Sequence, residues 1–338
     1  MRAVWQDRYG PVSSLRCVDV PVPRIGADQV LVRVHAASVH PDVWHVVTGR
    51  PAVLRLMGAG LRAPTHHVPG SDFAGQVTRV GEDVGSVAVG DDVFGESLPR
   101  MQWANGGTYA EYVAVQQDRL VAMPSRLSHV EAATLPTAGI IALQSVREQG
   151  QVAAGDRVLV NGAAGGVGSL AVQIASADGA RVTAVDSAEK HDLLRAIGAD
   201  EVLDHTREDF TRGDERYDVI IDIPGNHPFS AIRRVLAPHG TYVLVGHDQY
   251  GRTGRAVLGS IPTMFRLMAR APFSEQLPRP SFSSRPKLEH LTALAALAEA
   301  GMLRSAIDRT FSLEEAGAAL SHLASGTARG RVVLTVLR

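Results

Sequence analysis

The stretch from residue 158 to 168, Val-Leu-Val-Asn-Gly-Ala-Ala-Gly-Gly-Val-Gly, constrains the fold more than any other part of this chain. A short apolar segment leads directly into a turn dense in glycine, and the turn opens an apolar helix predicted over 169–177. Gly165 lets an anion approach the backbone, and Gly168 lets the helix pack closely on the strand. The free N–H groups at the helix start favour a bound phosphate. This order of strand, turn and helix predicts a dinucleotide-binding turn.

The residues after the turn continue the alternation of strands and helices. A second strand is predicted over 181–185 and ends at Asp186, eighteen residues after Gly168, where an acid can meet a ribose 2′-hydroxyl. Further apolar strands are predicted over 218–222 and 241–246. The pattern predicts a parallel, doubly wound α/β sheet. A domain of this fold that binds no dinucleotide remains an alternative.

The bulk composition limits the classes of partner. The formal net charge of −1 gives no electrostatic reason to bind nucleic acid or an anionic membrane. A single cysteine, Cys17, excludes an internal disulfide and a zinc site built from several cysteines. No run of eighteen apolar residues is present, and the first residues lack the pattern of a signal peptide. We therefore expect a cytoplasmic protein that binds neither nucleic acid nor membrane.

The first 127 residues differ in pattern from the middle of the chain. Their short β-like runs, separated by Gly, Pro and Asp, are typical of an irregular β-barrel. At Ser128 the pattern changes to helix, because Ser128 and Glu131 have the spacing of a capping box. We therefore predict a dinucleotide-binding domain over 128–286, inserted into a barrel-type domain made of 1–127 and 287–338.

The end of the inserted domain carries a long connection. Residues 248–286 are rich in Gly, Arg, Ser, Pro and Met and contain one predicted helix, near 262–269. Beyond it we predict a helix over 287–300, a second capping box at Ser312 and Glu315, and a last strand.

Short motifs in a fixed order run through most of the chain. They lie at 69–75 (Pro-Gly-Ser-Asp-Phe-Ala-Gly), 89–95, 107–112, 135–139 (Leu-Pro-Thr-Ala-Gly), 158–168, 197–200 and 328–333 (Ala-Arg-Gly-Arg-Val-Val). In order and spacing they resemble the medium-chain dehydrogenase/reductase superfamily, within it the zinc-independent quinone oxidoreductase-like branch. The resemblance implies a GroES-like catalytic domain, a Rossmann domain, a cleft between them and nicotinamide-dependent reduction. It also implies a homodimer.

The ligands of the zinc-dependent relatives are missing from the matching positions. The early segment at 37–42 has no cysteine, and the position of the relatives' Gly-His-Glu reads Gly70, Ser71 and Asp72. A four-cysteine structural lobe is also absent. A zinc site needs three or four converging ligands, and adjacent histidines rarely converge on one ion. We therefore expect no zinc; the potential ligands that remain are His40, Asp42, His45, His66 and His67.

The absence of a Lewis acid favours a particular class of acceptor. Without a metal, nothing polarises a simple ketone. A conjugated acceptor takes hydride at carbon and spreads the charge to a distant oxygen, which a hydrogen-bond donor can stabilise.

The candidate proton donor follows the second predicted strand. Relatives carry Asn-x-x-Asp there and this chain has His40, whose ordinary pKa near neutrality suits proton donation to an enolate. His40 can instead only pack and bond to backbone. Asp42 is a second catalytic candidate that orients this loop, or a structural residue. Trp44 forms either an apolar wall for a flat substrate or part of the core, and Met264 either closes the pocket, contacts a second copy or simply packs.

The cofactor-binding residues follow from matched positions. Asp186 repels a 2′-phosphate and favours NADH, whereas Lys190 can neutralise that phosphate, so the choice between NADPH and NADH is left open. The candidates are Thr137, Gly165, Gly166, Val167, Asp186, Ser187, Lys190, Ile223, Gly225, Asn226, Gly246 and His247.

These observations predict a zinc-independent NAD(P)H-dependent oxidoreductase that reduces a quinone, an enone or another conjugated carbonyl. One alternative is a reductase or dehydrogenase of a specialised alcohol or ketone in secondary metabolism. Another is a dinucleotide-binding regulator without catalysis.

Overall fold

Two large sheets organise the chain, one of seven strands and one of five. The structure is a computed structural model that describes residues 1–98, 104–246, 257–259, 261–278 and 286–336. Among these residues, no helix has the length and apolar character needed to cross a membrane.

The strands alternate with short turns in the first third of the chain and with helices in the middle. In chain order the strands are β1 (Arg2–Trp5), β2 (Arg16–Asp19), β3 (Gln29–Val39), β4 (Asp72–Val80), β5 (Asp92–Glu96), β6 (Tyr112–Gln116), β7 (Leu120–Ala122), β8 (Arg157–Asn161), β9 (Arg181–Asp186), β10 (Glu201–Asp204), β11 (Tyr217–Asp222), β12 (Leu236–Leu244), β13 (Ile307–Ser312) and β14 (Arg331–Thr335). The α-helices are α1 (Pro41–Thr48), α2 (His129–Ala132), α3 (Pro136–Leu143), α4 (Gly166–Ala177), α5 (His191–Ala196), α6 (Phe229–Val235), α7 (Ile261–Arg270), α8 (Lys287–Glu299) and α9 (Ala316–Ala324).

The seven-stranded sheet joins strands from both ends of the chain. Its order is β13-β14-β3-β4-β5-β7, and β6 pairs with β3 off this path. The central strand β3 pairs with β14, β4 and β6, all antiparallel, and most of its residues are buried. A core of valines, Phe73 and Tyr109 fills this domain. The C-terminal strand β14 therefore lies beside residues from the start of the chain.

The five-stranded sheet is parallel throughout and has the order β10-β9-β8-β11-β12. The chain winds outward in both directions from β8, so the carboxyl ends of β8, β9 and β11 meet at one edge. Val158, Leu159 and Val160 are fully buried, as expected for a strand covered on both faces. The predicted combination of a barrel-type sheet with a doubly wound parallel sheet is confirmed.

The two predicted capping boxes are both present, at Ser128 with Glu131 and at Ser312 with Glu315. Strand β12 begins earlier than the predicted strand at 241. The register with β11 shifts between Tyr217 and Val219, which accommodates the residues before Thr241 in the strand. Helix α8 packs on α3, where Leu294 fills the space that Gly139 leaves without a side chain.

Candidate active site

The glycine turn has the geometry that its sequence predicts. Gly165 is the N-cap of α4, with extended backbone, and Gly162 has a φ of +79°, which favours glycine. A Cβ on Gly168 would lie 2.2 Å from the carbonyl oxygen of Gly162, so only glycine allows the helix to sit this close to the turn. Val167, in the first turn of α4, is buried. The N-terminus of a twelve-residue helix therefore opens at the sheet edge.

A buried arginine from the other sheet faces this turn. Arg331, the first residue of β14, donates from Nη2 to Ser38 Oγ at 2.9 Å and to the Thr134 carbonyl at 3.0 Å. Its Nη1 lies so close to Gly166 that a Cβ there would be 1.7 Å away. A guanidinium beside the positive end of a helix is unfavourable unless an anion lies between them. Arg331 was not among the sequence candidates, although its motif at 328–333 was recognised.

Asp186 ends β9 and binds the start of the turn. Its carboxylate accepts from the backbone N–H of Ala164 at 2.9 Å and of Ser187 at 2.9 Å. Lys190 Nζ lies 3.2 Å from Asp186 Oδ1, and both side chains are largely buried. The acid and the cation that favour opposite cofactors therefore form one ion pair.

The loop after β11 is held by a buried carboxylate that the sequence did not single out. Asp222 accepts from Asn161 Nδ2 at 2.9 Å, Gly225 N at 3.0 Å and Tyr242 Oη at 2.9 Å. Burial raises the pKa of Asp222 despite these donors, and burial together with Asp222 raises the pKa of Tyr242. Asn226 is tied to the same cluster through Asn161 at 3.2 Å.

The remaining cofactor and pocket candidates lie in different parts of the structure. Ile223 follows β11 and donates to the Asn161 carbonyl at 3.1 Å, and Gly246 follows β12 with a φ of +72°. His247 lies outside the described residues. Met264 is 40% exposed on α7, and Trp44 is buried in the barrel core. The role of Trp44 as an apolar wall for the substrate stays a prediction.

His40 stands at the end of a buried polar chain. It is the N-cap of α1, and its Nε2 lies 2.7 Å from Ser71 Oγ. Ser71 in turn donates to Asp72 Oδ1 at 2.9 Å. The other ring nitrogen, Nδ1, is 3.7 Å from Asp42 Oδ2, in the first turn of α1. All four side chains are buried, so their polar contacts are within the protein.

The polar chain continues from Asp72 to the start of α3 and to β5. Thr137 donates its backbone N–H to Asp72 Oδ2 at 3.0 Å and its hydroxyl to Asp72 Oδ1 at 2.5 Å. The same hydroxyl lies 3.3 Å from Glu96 Oε2, and Lys287 forms an ion pair with Glu96 Oε1. Asp72 and Glu96 are directly opposite each other on β4 and β5. Asp72 thereby also caps the N-terminus of α3.

The donor set does not fit a zinc site. Among the described residues, no three His, Cys, Asp or Glu side chains converge on a point where a metal ion can bind. His45 Nδ1 contacts the Arg50 carbonyl at 2.6 Å, and His67 Nδ1 contacts the Gln6 carbonyl at 2.8 Å. Ser71 and Asp72 occupy the positions of a ligand pair and are bonded to His40 and Thr137 instead. Tetrahedral coordination by these residues is therefore not available.

Comparison with known proteins agrees with this architecture. Residues 26–125 match the alcohol dehydrogenase GroES-like domain, and residues 197–334 match the zinc-binding dehydrogenase family. A solved quinone oxidoreductase from Coxiella burnetii superposes with a TM-score of 0.82 at 32% identity, covering 100% of this chain and 99% of that one.

Curated relatives match over nearly the whole chain. The 2-methylene-furan-3-one reductase of Solanum lycopersicum is 31% identical over 99% of this chain and 79% of its own length. A chloroplastic quinone oxidoreductase of Triphysaria versicolor is 29% identical over 99% of this chain and 98% of its own. The chain belongs to the medium-chain dehydrogenase/reductase superfamily, in its quinone oxidoreductase-like branch.

Proposed function

We propose that this protein is an NAD(P)H-dependent oxidoreductase that transfers hydride to a quinone, an enone or another conjugated carbonyl, without zinc. The proposal rests on two features of the site: it has groups that can bind a pyrophosphate, and it lacks a pair of metal ligands. Arg331 and the N-terminus of α4 form an anion site suited to a pyrophosphate. The positions of a metal-ligand pair hold Ser71 and Asp72, which connect a histidine to a buried hydrogen-bond chain.

The chain's own residues bind and orient the cofactor. The amides at the start of α4 and the guanidinium of Arg331 hold the pyrophosphate, and the carboxylate of Asp186 accepts from the adenosine ribose. The nicotinamide supplies the hydride when bound. The loop after β11, fixed by Asp222, lines its ribose with Ile223, Gly225 and Asn226.

His40 supplies the proton that the reduced acceptor requires. Hydride addition to a conjugated carbon leaves negative charge on the carbonyl oxygen, and an imidazole can neutralise that charge by donating a proton. Ser71 engages Nε2, so Nδ1 is the nitrogen that Ser71 leaves for the substrate. Asp42, 3.7 Å from Nδ1, orients the ring.

The relatives support the acceptor class by their names. One acts on a methylene-furanone, which is a conjugated ketone, and others are quinone oxidoreductases. For the cofactor, we propose use of both NADH and NADPH with NADH preferred, because Asp186 lies at the ribose position and already neutralises Lys190.

The test is an acceptor screen on purified protein whose zinc content is measured in the same sample. NADH and NADPH oxidation is followed with quinones, enones, enoyl thioesters and simple ketones. Turnover of quinones or enones by protein free of zinc supports the proposal. Turnover of ketones alone would favour the alcohol or ketone reductase, and cofactor binding without turnover of any acceptor would favour a regulator. Activity that a chelator removes and zinc restores would contradict zinc independence.

A further inference from the structure

We propose that a buried chain of side chains carries protons from Lys287, at the protein surface, to His40; this relay rests on the reductase function proposed above. It assigns a role in turnover to Lys287, Glu96, Asp72 and Ser71, which are not among the cofactor or acceptor candidates. Between its two ends the members are, in order, Glu96, Thr137, Asp72 and Ser71.

Short contacts connect the two ends without a break. Lys287 pairs with Glu96 Oε1, and the other oxygen of Glu96 is 3.3 Å from the Thr137 hydroxyl. From Thr137 the chain runs to Asp72 Oδ1 over 2.5 Å, to Ser71 Oγ over 2.9 Å and to His40 Nε2 over 2.7 Å. The Lys287 side chain is 41% exposed, whereas that of Glu96 is 3% exposed. The chain therefore has one end at solvent and the other in the candidate site.

The residue type at position 287 points to proton transfer rather than to a simple ion pair. Only two of the 34 lysine and arginine residues of this protein are lysines, Lys190 and Lys287. Arginine holds a carboxylate in two-point geometry and never gives up its proton in this pH range. An amine can release a proton, and burial shifts it readily. This protein, which uses lysine at only one other position, thus has a titratable cation where the relay begins.

The charge balance of the transfer closes. The transfer starts from the tautomer of His40 that is protonated on Nδ1, with the Ser71 hydroxyl rotated from Asp72 to donate to Nε2. One proton then leaves Lys287 Nζ and one arrives at His40 Nε2, and each group between them gives one proton as it takes one. His40 then passes its Nδ1 proton to the reduced acceptor, and water reprotonates Lys287. The ring then carries its proton on Nε2, the arrangement in which Ser71 donates to Asp72. Exchange with water moves the ring proton back to Nδ1, and the two hydroxyls rotate back before the next turnover. No electrons move along the chain.

The surroundings of Lys287 make its proton easier to release. Burial lowers the pKa of Lys287, and Asp72 partly opposes that shift. Glu96 on β5 and Asp72 on β4 are the carboxylates that face it. Other charged groups around α8 have their own partners: Arg119 contacts the Leu98 carbonyl and lies 3.9 Å from Asp118, and His290 lies 2.8 Å from Glu148.

The test compares Lys287→Arg with Lys287→Met. Arginine keeps the positive charge beside Glu96. If the role of Lys287 is purely structural, Lys287→Arg behaves like wild type and only Lys287→Met is impaired. The relay predicts that kcat falls in both variants, on the order of 10- to 100-fold, while KM for the cofactor stays the same. Arg147→Lys, which exchanges the cation in the pair with Asp178 away from the site, is the matched control and keeps wild-type kcat.

The pH profile gives the readout that packing alone does not move. Below its pKa, Lys287 is protonated and can supply the relay. Above its pKa, Lys287 has no proton to give, so wild-type kcat falls at alkaline pH. Because burial lowers the pKa of Lys287, this fall begins below the pH expected for a free lysine, near 10.4. Lys287→Arg removes the alkaline limb and changes the solvent deuterium isotope effect on kcat. If wild type reduces its acceptor and Lys287→Arg keeps the same kcat, pH profile and isotope effect, the relay is wrong and the reductase function stands. If wild type reduces no acceptor, the proposed function itself fails.

Discussion

Single residues determine how this site transfers protons and binds phosphates, and several of them differ from the residues that relatives have at the same positions. Ser71 replaces a histidine ligand of the zinc-dependent relatives, and its hydroxyl instead connects His40 to Asp72. His40 and Ser71 were both visible in the sequence, the first as a donor and the second as a missing ligand. Their contact was not visible. His40 follows the end of β3 and Ser71 precedes the start of β4, and only the pairing of these two strands in the folded sheet brings the residues together.

Replacement of Ser71 tests whether its hydroxyl carries a proton. We expect Ser71→Ala to lower kcat on the order of 10- to 100-fold, because it removes the hydroxyl that connects Asp72 to His40. Ser71→Thr keeps a hydroxyl and therefore keeps most of the wild-type kcat. Steady-state kinetics with a saturating enone measures both. Equal kcat for the alanine and threonine variants would show that the hydroxyl takes no part.

The cofactor preference depends on one carboxylate. Asp186→Ser removes the charge that repels a 2′-phosphate and frees Lys190 from its 3.2 Å ion pair. The kcat/KM ratio of NADPH to NADH therefore rises. Asp192→Ser, at a fully exposed acid on α5, serves as the control and leaves the ratio unchanged. No change of the ratio in Asp186→Ser would remove Asp186 from the ribose site.

At the scale of elements, the glycine turn and α4 show what local sequence can predict. The strand, the turn and the helix follow one another between Arg157 and Ala177, so the local sequence pattern is enough to predict them. The cation that faces the turn comes from β14, far along the chain, and no local pattern announces it. The early start of β12 was also missed, because Pro238 and Gly240 read as turn residues until the sheet places them beside β11.

Two neighbouring glycines of this turn are expected to respond differently to alanine. A Cβ at Gly168 meets the carbonyl of Gly162, which is backbone and cannot move aside, so Gly168→Ala destabilises the fold by about 1–3 kcal/mol. A Cβ at Gly166 meets the end of the Arg331 side chain, which can shift by giving up part of its bonding to Ser38 and Thr134. Gly166→Ala therefore destabilises the fold less than Gly168→Ala does, and it raises the Kd for the cofactor. Urea unfolding and cofactor titration measure the two effects; the same loss of stability in both variants would contradict this distinction.

The carboxylate that joins β11 to β12 predicts a pH-dependent stability. Burial raises the pKa of Asp222, so the folded state holds its proton more tightly than the unfolded chain, and stability falls as pH rises above about 3.9. Tyr242→Phe removes a donor to the carboxylate and raises this pKa further. We expect the variant to lose about 1.5–3 kcal/mol at pH 8 and less at pH 5.

Urea unfolding at both pH values measures this difference, with Tyr112→Phe on β6 as the control. An equal loss at pH 5 and pH 8 would show that Tyr242 stabilises the strands through packing rather than through the bond to Asp222.

The whole molecule places the site between two sheets, and residues from both ends of the chain complete it. Arg331 and Lys287 reach the site from the last quarter of the sequence, one at the turn and one at the polar chain. The fold class followed from sequence because its motifs recur in order along the chain. The roles of Arg331 and Lys287 did not follow from sequence. Arg331 lies beside Gly166 and Lys287 pairs with Glu96, and these partners are distant in sequence and close only in the fold. The domain boundaries and the homodimer stay predictions.

In the proposed reaction, hydride goes to a conjugated carbon and the proton comes through the protein, with no metal involved. The most direct measurement uses NADH carrying deuterium at the transferred position of C4, a linear enone, and protein shown to be free of zinc. The proposed function predicts that NMR of the product finds the cofactor's deuterium at the β-carbon of a saturated ketone and a solvent-derived hydrogen at the α-carbon. Deuterium at the carbonyl carbon of an alcohol, or product formed only after zinc is added, would contradict it.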